Sequence, residues 1–129
     1  MKKLILLFAF IGLISCSDDD LKPVDISGEW KMTAYLGFVP ELPQIEKGSV
    51  VWNIDATNIS MTNNNEHTYV SQEGTFSYNW FDQETIFIHY SQLIRYYKVN
   101  LSDGKLRLTE THGPGETEFS DPSTLEFEK

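Results

Sequence analysis

The chain has 129 residues, a mass of 14.8 kDa, and 19 acidic against 10 basic side chains, for a formal net charge of −9. A chain of this length forms one domain. Its acidity argues against nucleic acid and anionic lipid surfaces as partners, and an aromatic content of 13% excludes a disordered protein. The single cysteine excludes an internal disulfide framework and a thiolate metal cluster.

The N-terminal segment has the pattern of a secretory signal. Lys2 and Lys3 supply positive charge, and residues 4–14 form an uncharged, largely aliphatic run. This run is too short for a transmembrane helix, which needs about 20 apolar residues, but it suits the hydrophobic part of a signal peptide. We therefore predict that residues 1–15 are removed, which leaves 114 residues with a net charge of −11 because both lysines are lost.

The signal ends in Leu13-Ile14-Ser15-Cys16, which resembles the lipobox of bacterial lipoproteins. In that family the cysteine thiol is acylated, the chain is cut before the cysteine, and the new amine is acylated as well. The resemblance implies that Cys16 is the lipid attachment point and that the membrane is a partner. Three acyl chains give stable anchoring at roughly 0.8 kcal/mol per buried methylene. The alternative is a free or buried thiol in an ordinary secreted protein.

An acidic run follows the cysteine, with Ser17 and then Asp18, Asp19 and Asp20. It resembles the acidic tether of surface-exposed lipoproteins in Bacteroidetes-type bacteria, where such a cluster directs export to the outer face. Residues 16–25 are then the lipidated cysteine and tether, and the predicted location is the outer membrane, lipid-anchored and surface-exposed. The alternative is a solvated spacer that keeps the domain away from the membrane.

Period-two alternation runs through the rest of the chain, residues 26–129, and indicates antiparallel β structure. In residues 29–36 the even-numbered side chains are apolar, and the odd-numbered positions, including Tyr35, form the polar face. We find no helix with a clear amphipathic period. Further strands are predicted, in chain order, at residues 50–54, 59–61, 68–71, 74–80, 85–90, 94–101 and 105–110, briefly at Phe119, and at 125–127.

Turn residues separate these strands. Residues 37–48 contain Pro40 and Pro43 and are predicted to form a loop or lid. Asp103-Gly104 is the clearest hairpin signal, because this dipeptide suits a type I′ turn. About eight to ten short strands in roughly 105 residues predict a closed barrel or a sandwich.

A resemblance to lipocalins favours the barrel. Lipocalins open the first strand with a Gly-X-Trp motif, which Gly28-Glu29-Trp30 matches. Small lipocalin-like domains of Bacteroidetes lipoproteins also carry a Gly-X-aromatic strand in mid-chain, then a Tyr-X-Val-X-Leu strand, a turn and a Leu-X-Leu strand. These are matched by residues 74–76, 97–101 and 106–108. The resemblance implies a small antiparallel up-and-down β-barrel in which Trp30 closes the bottom and Gly28 permits close approach.

The sequence contains no pattern typical of catalysis or metal binding. No Gly-X-Ser-X-Gly elbow and no phosphate-binding glycine loop occur. Two carboxylate pairs near the C-terminus are more simply solvent-facing strand positions: Glu116 with Glu118 and Glu126 with Glu128. The histidines do not have metal-ligand spacing: His67, His89 and His112. We predict no catalytic residue, no metal and no cofactor.

Aromatic residues on the predicted strands are the more informative set. Tyr96 and Tyr97 are adjacent and must face opposite sides of the sheet. Arg95 shares a face with Tyr97 and would be a polar anchor inside a cavity. The alternative for most of the aromatic residues is a packed core with cross-strand pairs. The predicted ligand-binding residues are Trp52, Tyr78, Trp80, Arg95 and Tyr97.

Three functions are compatible with these patterns. The first is a lipid-anchored, lipocalin-like module that binds a small hydrophobic or amphipathic ligand, which requires a cavity. The second is a filled barrel that acts as a protein-interaction or accessory component of an outer-membrane assembly. The third is an enzyme, which would show two convergent ionisable groups in a cleft. We expect the first and do not expect an enzyme.

Overall fold

Eight antiparallel strands close into one barrel in the computed structural model, which describes residues 22–37, 41–116 and 122–129. Each strand pairs with its neighbour in sequence, and the last strand returns to the first, so the topology is up-and-down. This confirms the predicted lipocalin-like barrel and excludes a sandwich. The strands are β1 Gly28–Leu36, β2 Val50–Ile54, β3 Asn58–Asn63, β4 Gly74–Trp80, β5 Thr85–His89, β6 Ile94–Ser102, β7 Lys105–Thr111 and β8 Thr124–Glu128.

Several sequence predictions fall outside the described residues. These are the signal peptide, Cys16, the acidic residues Asp18, Asp19 and Asp20, and the short strand at Phe119. All strand pairings lie between Gly28 and Glu128. Residues 22–129 therefore contain all the strand pairings of the barrel and its whole described core.

The core fills the inside of the barrel, as the period-two pattern predicts. On β2 the alternate residues Val50, Trp52 and Ile54 are all buried. The Trp52 ring packs against that of Phe127, with 4.9 Å between the ring centroids. The large buried aliphatic side chains come from β3, β5, β7 and β8 as well, so every part of the barrel wall contributes to one apolar cluster.

A bulge in β1 changes which residues of that strand face inward. Trp30 and Met32 are buried, but the register with β8 shifts between Met32 and Ala34. Beyond the shift Tyr35 pairs with the inward-facing Leu125 and packs against the core, whereas Leu36 is 40% exposed. The prediction that even-numbered residues face inward is therefore wrong after Met32, because an extra residue reverses the alternation.

The strand predicted at residues 68–71 is also wrong. Thr68–Val70 form a single 3₁₀ turn, and β3 pairs directly with β4 through Met61 and Gly74. Val70 contributes to the core without being in a strand, since it is 2% exposed and belongs to the hydrophobic cluster. Local side-chain bonds shape the segment: the Asn63 and Asn65 carboxamide oxygens accept from backbone N–H groups two residues later, at 2.8 and 2.9 Å.

The two ends of the barrel differ in their connections. One end carries the short connections 55–57, 81–84 and 103–104, together with the incoming residues 22–27. We call it the closed end. The other end carries the longer connections 37–49, 64–73 and 112–123, and also 90–93. We call it the open end.

The closed end is sealed around Trp30. Its indole N–H donates to the Ile26 carbonyl oxygen at 2.8 Å, and both residues are 2% exposed. The ammonium of Lys129 lies 5.0 Å from the centre of the indole ring. Gly28 has a φ of +127°, and a Cβ on it would lie 3.0 Å from the Lys129 nitrogen. The positive φ favours glycine at position 28, and Trp30 is buried at this end of the barrel.

The β6–β7 hairpin turns at two residues with positive φ, Asp103 at 53° and Gly104 at 73°, as the type I′ prediction requires. A Cβ on Gly104 would meet nothing within 4 Å, so a side chain there is disfavoured only by the positive φ of the backbone. We expect Gly104→Ala to lower the free energy of unfolding by about 1 kcal/mol, measured by urea unfolding. Asp103→Gly is the control and leaves stability unchanged or slightly raised. Equal midpoints for Gly104→Ala and wild type would contradict the turn geometry.

Candidate functional site

A cavity of about 320 Å³ lies at the open end. Inward-facing residues of β1, β2, β6, β7 and β8 form its wall, and the segment around Thr68–Val70 covers part of its mouth. The lining combines aromatic rings, an ion pair and several hydroxyl groups. The barrel interior is thus apolar and filled towards the closed end and polar and hollow at the open end.

Trp52 separates the core from the cavity. Its indole N–H donates to the Ser71 hydroxyl at 2.9 Å, and that hydroxyl donates to the Gln72 carbonyl oxygen at 3.0 Å. The indole is 1% exposed, so the ring itself belongs to the core. Its N–H group, however, points to the polar segment that lines the cavity, which makes it a reporter of occupancy.

Two tyrosines, Tyr90 and Tyr97, line the cavity together. Burial raises the pKa of Tyr90 to about 12, and burial together with Tyr90 raises the pKa of Tyr97 well above its usual value. Both phenols therefore stay neutral at physiological pH and offer hydroxyls that donate and accept hydrogen bonds.

An ion pair joins Arg95 to Glu110 beside these tyrosines. The guanidinium Nη1 donates to Glu110 Oε2, and the Ser123 hydroxyl donates to Oε1 at 3.2 Å. Burial by itself lowers the pKa of Arg95. The hydrogen bond to Glu110 and the negative charge of Glu110 have the larger, opposite effect, so the pKa of Arg95 is raised. The Glu110 side chain is 12% exposed and the Arg95 side chain 43%. The pair leaves the cavity without net charge and keeps a guanidinium accessible at its mouth.

Tyr69 stands at the cavity mouth. Its ring is half exposed and meets the Tyr35 ring edge to face, with 5.6 Å between centroids, while the His67 ring lies 5.5 Å from it on the same segment. Because Val70 anchors this turn in the core, Tyr69 is held over the opening.

The structure brings three of the five predicted ligand residues together. Trp52, Arg95 and Tyr97 all line the cavity. Tyr78 and Trp80 do not; they border a groove at the closed end, where the Tyr78 hydroxyl donates to the Asp55 carbonyl oxygen at 2.7 Å. The reason is the direction of β4, which runs from the open end at Gly74 to the closed end at Trp80.

Sequence reasoning missed Glu110, Tyr35 and Tyr90 as cavity residues. A signal for Glu110 was present, because a two-residue turn at Asp103-Gly104 fixes the register of the whole hairpin. That register places Glu110 directly opposite Tyr97, as observed. Tyr35 carried no comparable signal, since its orientation depends on the β1 bulge.

The buried tyrosine pair predicts a loss of stability at high pH. Below about pH 10 both the folded and the unfolded chain keep the Tyr90 proton, so the contribution of Tyr90 to the free energy of unfolding is fully present. Between about pH 10 and 12 only the unfolded chain loses this proton, and stability falls by an amount on the order of 2 kcal/mol. Urea unfolding on both sides of this range should show the fall, and Tyr90→Phe should reduce it. The exposed Tyr69→Phe is the control; an equal reduction in both variants would contradict the assignment.

A row of aromatic side chains lies outside the barrel on β5, β6 and the connection that precedes β5. The Phe87 and Tyr96 rings stack with 5.4 Å between centroids, and Phe81 meets Tyr96 edge to face at 5.8 Å. Phe81 is 52% exposed. The row faces away from the cavity, because Phe87 and Tyr96 alternate with the inward-facing Ile88 and Tyr97.

The fold and the cavity together define a small lipocalin-like barrel, hollow at one end. No protein-family model matches the sequence, and neither the curated proteins nor the solved structures provide a significant match. Within residues 22–37, 41–116 and 122–129, no three acidic, histidine or cysteine side chains cluster in a way that would hold a metal ion. The same residues include no helix of the length and apolarity needed to cross a membrane.

Proposed function

We propose that the chain is a lipid-anchored, cell-surface binding module that holds a small amphipathic ligand in the cavity at its open end. The observation that carries the proposal is the cavity itself, where Trp52, Arg95 and Tyr97 converge. The proposal assigns no catalytic step, because the Arg95–Glu110 pair is mutually satisfied and the tyrosines are held neutral.

The lining favours a ligand with polar groups over a pure hydrocarbon. Any ligand in this space displaces water from the Arg95 guanidinium, the tyrosine hydroxyls and Ser123, and each of these groups then needs a new partner. A volume of about 320 Å³ is at the lower end of ligand pockets. The cavity thus suits a small molecule or the polar part of a larger one.

The entry of residues 22–27 at the closed end favours a cavity that opens away from the membrane. Residues 22–27 enter at the closed end, where Ile26 packs beneath Trp30. If Cys16 carries the anchor, the tether holds the closed end nearer to the membrane. The cavity mouth then points to the medium, where a ligand from outside would reach it.

The test uses residues 22–129 and the three tryptophans as built-in reporters. In ¹H–¹⁵N spectra, a lipid extract of the source cells should move the indole signal of Trp52 and leave that of Trp30 at the closed end unchanged. Native mass spectrometry of the same sample should show a discrete adduct. Arg95→Met should raise at least tenfold the amount of extract needed to shift the Trp52 signal. Lys98→Met removes an equal charge from the outer face of the same strand and should leave that amount unchanged. Absence of both a Trp52 shift and an adduct on folded protein would refute the binding function.

A second candidate is an accessory component of an outer-membrane assembly that works through protein contacts. The outer row of Phe81, Phe87 and Tyr96 favours it, because stacked aromatic residues on a solvent face are typical of contact surfaces. Crosslinking to a membrane protein that Phe87→Ser abolishes and Arg95→Met leaves intact would support this function instead.

A further inference from the structure

A second hollow adjoins the cavity on the other side of Tyr35. It is a groove of about 420 Å³ between the outer face of β1 and residues 42–46 of the following connection. Five of its nine lining residues are aliphatic, namely Ala34, Leu36, Leu42, Pro43 and Ile45, and the others are Thr33, Tyr35, Gln44 and Glu46. Leu36 and Leu42 are 40% and 54% exposed. We call this hollow the β1 groove.

Tyr35 lies between the two hollows, because it lines both. The bulge between Met32 and Ala34 is what places it there: without the extra residue, Tyr35 would face away from the cavity. The groove is therefore the apolar surface next to the cavity on the β1 side.

The chemistry of the two hollows is opposite. The cavity offers an ion pair and hydroxyls, whereas the groove offers aliphatic side chains that are left in contact with water. A barrel built to bury a hydrocarbon chain would have the apolar surface inside and the polar groups at the rim. Here the arrangement is reversed.

We infer that the ligand binds head first: an uncharged, hydroxyl-bearing head enters the cavity, and an aliphatic tail crosses Tyr35 and lies in the β1 groove. This inference rests on the proposed binding function and specifies its ligand class and orientation. The two hollows are adjacent, since Tyr35 lines both, and this adjacency selects the tail of the same ligand as the occupant of the groove.

The Arg95–Glu110 pair selects an uncharged head. A carboxylate head would compete with Glu110 for the guanidinium and leave the largely buried Glu110 carboxylate less well paired, and an ammonium head would compete with Arg95 for that carboxylate. The net charge of −9 further disfavours anions. Hydroxyl groups both donate and accept, and so they match a wall of tyrosine, serine and paired charges without breaking the pair.

The experiment titrates residues 22–129 with alkyl glucosides of increasing chain length, below their micelle concentrations, and follows the Trp52 indole signal and the heat of binding. We expect Kd to fall about two- to fourfold per added methylene until the groove is filled, since a groove covers part of each methylene. Alkyl carboxylates and alkylammonium ions of equal length should bind at least tenfold more weakly.

Variants of two comparable leucines locate the tail. Leu42→Ser should reduce the gain per methylene, whereas Leu93→Ser should not; Leu93 is 46% exposed at the same end of the barrel but does not border the groove. Both residues are exposed, so both variants should keep the wild-type melting temperature. Magnetisation transfer from the terminal methyl of the ligand to the Leu42 methyl groups is an independent measurement of where the tail lies.

The outcomes separate this inference from the function on which it rests. If alkyl glucosides bind but Leu42→Ser leaves the length dependence unchanged, the tail lies elsewhere, and the head-first orientation is overturned while the binding function stands. The inferred head class falls if the carboxylates or ammonium ions bind as well as the glucosides. If neither these compounds nor the lipid extract moves the Trp52 signal, the binding function itself fails.

Discussion

Trp30→Ala lowers the free energy of unfolding by about 3–5 kcal/mol, the largest stability loss we expect from any single substitution in the barrel. The side chain is 2% exposed, its N–H is bonded to the Ile26 carbonyl oxygen at 2.8 Å, and Lys129 covers its ring. Its removal therefore leaves a cavity, an unpaired buried carbonyl and an unsupported closed end. Chemical denaturation with fluorescence and circular dichroism measures the change.

Two further variants show whether this loss arises from the seal. Trp30→Phe keeps most of the ring but removes the N–H donor, and should cost about 1–2 kcal/mol. Trp80→Ala removes an indole of the same size from the border of the closed-end groove, where it is only partly buried, and should cost less than about 2 kcal/mol. If Trp30→Ala and Trp80→Ala were equally destabilising, Trp30 would have no special part in closing the barrel.

Cys16→Ala should abolish membrane retention of the chain in its source cells. Our proposal makes this thiol the attachment point of the lipid, and without it the predicted anchor of three acyl chains cannot form. Fractionation should find the wild-type chain with the membranes and labelled by a radioactive fatty acid, and the variant should carry no label. Continued labelling and membrane association of Cys16→Ala would refute the lipoprotein assignment.

The acidic tether provides the matched control for this experiment. Replacing Asp18, Asp19 and Asp20 with asparagine leaves the thiol intact, so the fatty-acid label should remain. If the three aspartates are an export signal, only the exposure of the chain to protease added outside the cells should fall. Loss of the label in this variant would mean that the substitutions disturb signal processing.

The sequence predicts the barrel well because alternation and turn chemistry are local. Val50, Trp52 and Ile54 face inward as their spacing requires, and Asp103-Gly104 adopts the backbone angles that its composition favours. The resemblance around Gly28 and Trp30 adds the choice between barrel and sandwich, which alternation alone leaves open.

The site is less predictable because it depends on relations between distant residues. Tyr35 faces the cavity only because a bulge in β1, opposite β8, shifts the register of the strand. The residue types near Met32 do not predict this bulge. Val70 lies in a 3₁₀ turn despite its preference for strands, because burial at the end of the barrel outweighs local propensity. Tyr78 follows the alternation of a cavity residue, but the direction of its strand carries it to the other end.

The contacts that seal the barrel and the long connections lie at opposite ends of the molecule. The contacts that seal the molecule, around Trp30, Ile26 and Lys129, lie at the end opposite to the long connections. Insertions, deletions or substitutions in those connections therefore leave the seal untouched, as is usual where variable loops are carried on a rigid framework. If the open end binds a ligand as proposed, substitutions at exposed positions of these connections would change the choice of ligand while the closed end keeps its contacts.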